Sequence, residues 1–270
     1  MRDLRGALGA VLSELAAFRA DAMAALAAAV DNEPEVRRRL RALRATASYE
    51  AAYTTHEPLV TICIPTYDNV RDLVGRAIPS ALAQDHPHIE VVVVGDGADA
   101  DTDAGLQRLA DPRVHYENLP HRGFYPDDET QRWYVAGTPA FNRAMEVARG
   151  DWFVLLNDDD ALRPHHVSAL LRIAFETRAE VVYGKLLRLA PDEQDEVLGG
   201  FPPAPFKFGW QAALQHRAMR LFEYELVAAA FREPGDGHRL RRMQRAGVHF
   251  AFVDEVVADY YPARLWTAAR

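Results

Sequence analysis

Five apolar residues, Trp152-Phe153-Val154-Leu155-Leu156, run directly into Asn157-Asp158-Asp159-Asp160, with Pro164 close behind. The apolar run reads as a buried strand, and three adjacent carboxylates at its end repel unless a cation or hydrogen-bond donors offset them. Open α/β sheets bind ligands beyond the carboxyl ends of their strands, and a divalent metal with a phosphate-bearing ligand would satisfy such a cluster. The competing reading is an acidic turn leading into a helix near Pro164, since Asp and Pro both suit helix starts.

The segments before that strand decide what surrounds it. Leu59 to Ile64 and Ile89 to Val94 also read as buried strands, and Val114-His115-Tyr116 as a short third one. Between them lie helical patterns, Val70 to Leu82 with a kink expected at Pro79, and a stretch through Leu106 and Leu109. Ala140 to Arg149 is helical and leads into the Trp152 strand. Continuous apolar strands separated by helices predict an α/β fold with a mainly parallel sheet flanked by helices. After Asp160 the pattern loosens: a strand at Val181 to Tyr183, a Pro/Gly-rich excursion over 191–205, helices at 221–231 and 238–246, and strands at 248–253 and 256–260.

Residues 1–57 differ. Leu4, Leu8, Val11, Leu12, Leu15 and Phe18 recur at helical spacing, and a second helix after Pro34 carries Arg37, Arg38, Arg39, Arg41 and Arg44. The arginine run reads as a solvated face, with peripheral contact to an anionic membrane as the alternative. The helical segment is expected to be an appendage that packs on the main domain or forms a homodimer contact, and the sequence leaves both open. The main domain is expected over 58–270, with a nucleotide-binding half to residue 160 and an acceptor-binding half beyond.

Three turns fall at carboxyl ends of predicted parallel strands: Pro65-Thr66-Tyr67-Asp68, Gly95-Asp96-Gly97 and Asn157-Asp158-Asp159-Asp160. With Val60-Thr61-Ile62-Cys63-Ile64 before the first, Ile89 to Val94 before the second, Asn142-Arg143-Ala144 and Pro164, their order resembles the family 2 glycosyltransferases of the GT-A (Rossmann-like) fold over about residues 58–262. The resemblance implies an inverting transfer of a sugar from a nucleoside diphosphate, UDP or dTDP, to an acceptor hydroxyl by direct displacement. It implies that Pro65, Thr66, Tyr67, Asp96, Asn142, Asn157 and Asp158 line the nucleotide site. Asp159 would hold Mn²⁺ or Mg²⁺, and Asp236 in Gly235-Asp236-Gly237-His238 would be the general base, against a helix-capping role. The chain departs from the family pattern at Asn157, at Gly235 and in lacking a late histidine near Asp259-Tyr260-Tyr261.

The loop from Leu119 to Asp128, with Arg132-Trp133-Tyr134, mixes aromatic faces with charged groups suited to sugars and phosphates. Trp133, Trp210 and His216 are the expected acceptor or sugar contacts. A net charge of −8 argues against nucleic acid as a partner. The lone cysteine, Cys63, sits in a strand pattern and reads as core, and the start of the chain does not read as a signal peptide, so a cytoplasmic protein without a transmembrane segment is expected. Two rivals stand beside the transferase: a non-catalytic nucleotide-sugar-binding scaffold, and a sugar-nucleotide nucleotidyltransferase, which would want a glycine-rich basic loop where Pro65-Thr66-Tyr67-Asp68 stands.

Overall fold

The computed structural model describes residues 32–189, 194–205 and 207–262, together with Val11, Glu14, Leu15, Phe18 and Ala22. Helices α1 (Glu33–Arg44) and α2 (Ala47–Thr54) precede β1 (Val60–Thr66). Helix α3 follows in three pieces, Val70–Asp72, a π turn Leu73–Ala77 and Ile78–Leu82. Pro79 has no N–H to offer the carbonyl one turn back, and the helix takes up that loss as the widened turn rather than as a break. Next come β2 (Ile89–Gly95), α4 (Ala100–Leu109), β3 (Val114–Asn118), α5 (Glu129–Val135), α6 (Thr138–Val147) and β4 (Trp152–Leu155). The second half holds β5 (Ala161–Leu162), α7 (His166–Thr177), β6 (Val181–Arg188), β7 (Glu196–Leu198), β8 (Ala213–His216), α8 (Val227–Ala230), α9 (Gly235–Ala246) and β9 (Phe250–Tyr260).

One sheet runs in the order β3-β2-β1-β4-β8-β6-β9-β5, with β7 on β6. The expected parallel arrangement holds from β3 to β4. Beyond β4 the sheet is mixed: β8 is antiparallel to both β4 and β6, β6 and β9 are parallel, and β5 and β7 are antiparallel edges. β1 and β4 pair only as far as Cys63 and Leu155, with one further bond from the Leu156 N–H to the Cys63 carbonyl. Past that point the two strands part, and the Pro65 and Asn157 turns flank the gap. This is the crevice that the parallel half of the sheet was expected to build.

The N-terminal helices are part of the fold. Leu40, Tyr49, Ala52 and Tyr53 are buried in the same core as the sheet. Trp152 donates its indole N–H to the Ala52 carbonyl at 2.9 Å, and its ring meets Tyr53 edge-on at 5.3 Å between centroids. Glu180 is fully buried and accepts both arms of Arg44 at 2.7 and 2.6 Å, the Tyr49 hydroxyl at 3.0 Å and the His249 N–H at 3.0 Å. Burial pushes Glu180 up, but those donors outweigh it and hold the carboxyl below its ordinary value. Arg44 therefore belongs to a buried clamp and not to the solvated face expected of it, whereas Arg37 and Arg38 pair with Glu33 and Glu35 on the surface. Leu4, Leu8 and Leu12 of the expected apolar stripe lie outside the described residues, and Val11, Leu15 and Phe18 are helical and exposed.

Candidate functional site

The three turns expected to converge do so. Pro65, Thr66, Tyr67, Asp96, Asn157, Asp158 and Asp159 line one cleft of about 950 Å³ at the carboxyl ends of β1, β2 and β4. That volume lies at the upper end of the range for small-molecule sites. Arg71, Arg76 and Arg122 line it as well, so it pairs its carboxylates with three guanidinium groups.

The acidic turn is held in three different ways. Asp158 accepts from the Thr66 hydroxyl at 2.7 Å and from Asn69 at 3.3 Å, tying the third turn to the first. Asp160 is buried, accepting the Tyr261 N–H at 2.9 Å and the Asn157 amide at 2.8 Å. Burial, with the charge of Asp159 adding to it, pushes Asp158 up to about 7 and Asp160 to about 8. Asp159 is also raised, by burial first and then by Asp72, against the opposing charge of Arg76. Among the described residues, no other residue donates a hydrogen bond to the Asp159 carboxylate. It is the acid of this turn left to face the cleft with unused acceptors. No three His, Cys, Asp or Glu side chains among the described residues form a ready-made metal cage. One carboxylate beside a space large enough for a diphosphate instead fits a Mg²⁺-like or Mn²⁺-like ion, which takes one or two carboxylates and fills its sphere with phosphate oxygens and water.

Arg76 sits in the π turn of α3 and spans the cleft. It donates to the Asp159 carbonyl at 2.5 Å, pairs with Asp72 at 2.9 Å and lies 3.8 Å over the Tyr261 ring. One side chain thus joins α3, the acidic turn and the segment after β9.

At the other end, Asp96 is almost fully buried and accepts the Gly123 N–H at 2.9 Å and the Tyr125 hydroxyl at 2.5 Å. Tyr125 also accepts the Gly137 N–H at 3.1 Å, so Asp96 pins the 119–128 loop against the start of α6. Gly97 has φ +66°, and a Cβ there would come within 2.3 Å of the Arg122 backbone nitrogen. Only glycine gives both that conformation and that approach. The loop then brings the Arg122 guanidinium 3.8 Å over the Tyr67 ring. The 119–128 loop, read equally as a sugar- and phosphate-contacting loop or as a structural lid, does enter the cleft, through Arg122 rather than through Trp133. Trp133 is half exposed on α5, beside Tyr134, and is not part of the cleft wall.

Asp236 is not among the residues lining the cleft; it is exposed in the first turn of α9. The capping reading fails, because the cap position of α9 is Pro234 and the Asp236 carboxylate makes no cap bond. It accepts the Tyr224 hydroxyl at 2.8 Å. Solvent reaches the residue, but the protein surrounding it raises its carboxyl above the ordinary value, with Tyr224 and Arg239 opposing that rise. Burial first, then the charges of Asp160 and Asp159 with a smaller one from Asp236, hold the Tyr260 phenol high against Arg188.

Three expectations need correction. Asn142 is not in the cleft wall; its amide donates to the Tyr224 carbonyl at 2.9 Å and accepts the Tyr224 N–H at 2.8 Å. Trp210 is buried under α9, where its indole donates to the Asp236 carbonyl at 3.3 Å and its ring carries the Arg239 guanidinium at 4.3 Å. His216 is fully buried at the opposite end of β4, paired with Trp152 and stacked on Tyr53 at 5.1 Å. Because β8 runs antiparallel to β4, its last residue lies beside the first residue of β4, away from the cleft.

Sequence reasoning did not single out Arg76, Tyr224 or Tyr261. Arg76 and Asp72 have ordinary i, i+4 helix-surface spacing, and Tyr224 lies in the 221–231 stretch expected to be helical, where the fold makes α-helix only over Val227–Ala230, so neither announced its role. Arg122 and Tyr125 were legible only as part of an aromatic and charged loop.

This sheet and cleft have the GT-A architecture, and comparison with known proteins agrees. The "Glycosyl transferase family 2" model matches residues 61–126 and 130–229, more than half of the chain, and the protein belongs to that family. The succinoglycan biosynthesis protein ExoO of Rhizobium meliloti (strain 1021) is 34% identical over 130 residues, 48% of this chain and 33% of the relative. S. aureus TarS 1–349 in complex with UDP-GlcNAc has a TM-score of 0.57 at 15% identity, covering 76% of this chain and 59% of that one. The mannosyltransferase PcManGT of Pyrobaculum calidifontis in complex with GDP-Man and Mn²⁺ has a TM-score of 0.55 at 18% identity, covering 86% and 71%. The match to ExoO spans a third of that relative's length, and the two structural likenesses carry the GT-A fold alone. No described helix is long and apolar enough to cross a membrane.

Proposed function

We propose that this glycosyltransferase takes a UDP- or dTDP-sugar and transfers the sugar with inversion to an acceptor hydroxyl. The observation that carries the reading is the convergence of Tyr67, Asp96 and the Asn157–Asp159 turn on one cleft. Tyr67 and Arg122 offer flat faces to a base, and Asp96 beside them retains lone pairs for a ring N–H after accepting from Gly123 and Tyr125. Arg71 and Arg76 place positive charge on the wall that a diphosphate would meet.

Asp159 would hold Mn²⁺ or Mg²⁺ against the diphosphate, and the bound ion would neutralise charge on the departing nucleoside diphosphate. That the structural neighbour PcManGT is complexed with Mn²⁺ supports this role. Asp236 takes the proton from the acceptor hydroxyl as its oxygen attacks the anomeric carbon, on the face opposite the leaving phosphate oxygen. A raised carboxyl is the better base, provided it remains ionised, and the Tyr224 hydroxyl keeps it so. Asn142 fixes the Tyr224 backbone, and Trp210 fixes that of Asp236, so both act by positioning.

A thermal-shift screen of UDP, dTDP and their sugars tests the reading, because a ligand that binds only the native state raises the melting temperature. Stabilisation by one pyrimidine nucleotide, increased by Mn²⁺, is expected. No response to any pyrimidine nucleotide would remove the proposed donor class.

A further inference from the structure

A second cavity, of about 380 Å³, opens where α1 and α2 meet the short helical turn Arg217–Leu221. It shares no lining residue with the nucleotide cleft. Its charged members are Arg39, Arg217 and Arg220, joined by the hydroxyl residues Thr46 and Ser48, and no carboxylate lines it.

The protein balances these charges only in part. Arg217 bonds Asp151 at 3.1 Å. Arg220 donates to the Gly150 carbonyl at 2.7 Å, while its buried Nε has no acceptor. Arg39 makes no ion pair among the described residues. Burial holds Arg220 below the usual arginine value, with the like charge of Arg217 adding to that and the carboxylates of Glu90 and Asp151 opposing it. His216 adds no charge: its Nδ1 accepts the Ala218 N–H and its Nε2 faces the Tyr49 carbonyl, so the ring is neutral, and burial pushes it down to about 4. The start of α2 contributes further positive potential, with Thr46 as its cap and Ser48 in the first turn.

We propose that this cavity is a second binding site, for a phosphate-bearing anion, held by Arg39, Arg217 and Arg220 and completed by the Ser48 hydroxyl. Guanidinium groups recognise phosphate oxygens in paired fashion, and an anion among these three offsets both the repulsion and the shortage of acceptors. The volume suits a phosphate ester or headgroup, not a second nucleotide sugar. The site lies at the amino end of β4, whereas the acidic turn follows the carboxyl end, so both sites can be filled together. The proposal does not depend on the donor assigned to the cleft.

Calorimetry with inorganic pyrophosphate tests it, with EDTA present and the cleft presaturated with UDP so that only the second cavity is read. Saturable binding is expected, weakened at least tenfold in Arg39→Ala and in Arg217→Gln and unchanged in Arg172→Ala, an exposed arginine of α7 that lines neither cavity. Arg39 is exposed, so its loss does not threaten folding. The source of the phosphate is read by flotation with phosphatidylglycerol vesicles against phosphatidylcholine vesicles. Arg39-dependent flotation with the former identifies a lipid headgroup, and pyrophosphate binding without flotation identifies a soluble ester. Absence of pyrophosphate binding at millimolar concentration, or equal binding by the wild type and both cavity variants, overturns the proposal.

Discussion

The Tyr224 hydroxyl donates to Asp236 at 2.8 Å, while both backbone groups of Tyr224 are held by the side chain of Asn142. The ring of Tyr224 also stacks on Phe141, which lines the nucleotide cleft, at 5.0 Å between centroids. Asn142, expected to touch nucleotide, thus holds the residue that hydrogen-bonds Asp236. Tyr224→Phe keeps the ring stack and removes a hydrogen bond that favours the ionised carboxylate. The acid limb of the rate profile should move to higher pH, because the base then holds its proton longer. Rates at high pH should recover towards wild type, with donor KM little changed. An unshifted acid limb would separate Tyr224 from the base.

Arg44→Met should cost about 3 kcal/mol, the lower end for leaving one partner of a buried ion pair alone. Glu180 is lowered in the fold, so its contribution is fully present above the ordinary carboxylate value and is lost as pH falls through the folded one. Wild-type protein should therefore lose part of its stability in acid, and Arg44→Met should lose less there. Urea unfolding at neutral and acid pH measures both.

Asp159→Asn should abolish the gain in nucleotide affinity that Mn²⁺ confers and leave metal-free affinity within about twofold, since no other described residue donates a hydrogen bond to that carboxylate. Titration of UDP with and without Mn²⁺ checks this. A metal effect that survives in the variant would reassign the ion to another carboxylate.

Arg122→Ala should weaken pyrimidine nucleotide binding by about tenfold, the scale of one desolvated cation–π contact. Fluorescence titration of the variant should show that loss with or without metal. Unchanged affinity would leave Arg122 as a packing partner of Tyr67 only.

The parts of this fold that the sequence disclosed are those made by local pattern. β1, β2 and β4 are short apolar runs ending in polar turns, and parallel pairing brings such ends together, so the cleft from Pro65 to Asp159 could be read in advance. The mixed half could not. β8 is a four-residue strand whose direction depends on its neighbours, and that direction decides that His216 packs on Trp152 rather than facing an acceptor. Trp210 misled in a related way, since a tryptophan near a glycine reads equally as an exposed platform or as a buried anchor. The clamp on the N-terminal helices joins Arg44 to Glu180 across 136 positions, and no periodicity reports a pairing of that kind. Asp236 was placed by family register alone; its dependence on Tyr224, Asn142 and Trp210 exists only in three dimensions.

The central claim is that Asp236 is the base of a sugar transfer supported by the nucleotide cleft. Nucleoside diphosphate release from UDP- and dTDP-sugars, measured beside nucleotide affinity in the wild type and Asp236→Asn, tests it most directly. The account predicts a fall in release of about two to four orders of magnitude, the range for losing a general base, with affinity kept within about twofold. Wild-type release by the variant, or loss of nucleotide binding together with activity, would contradict it.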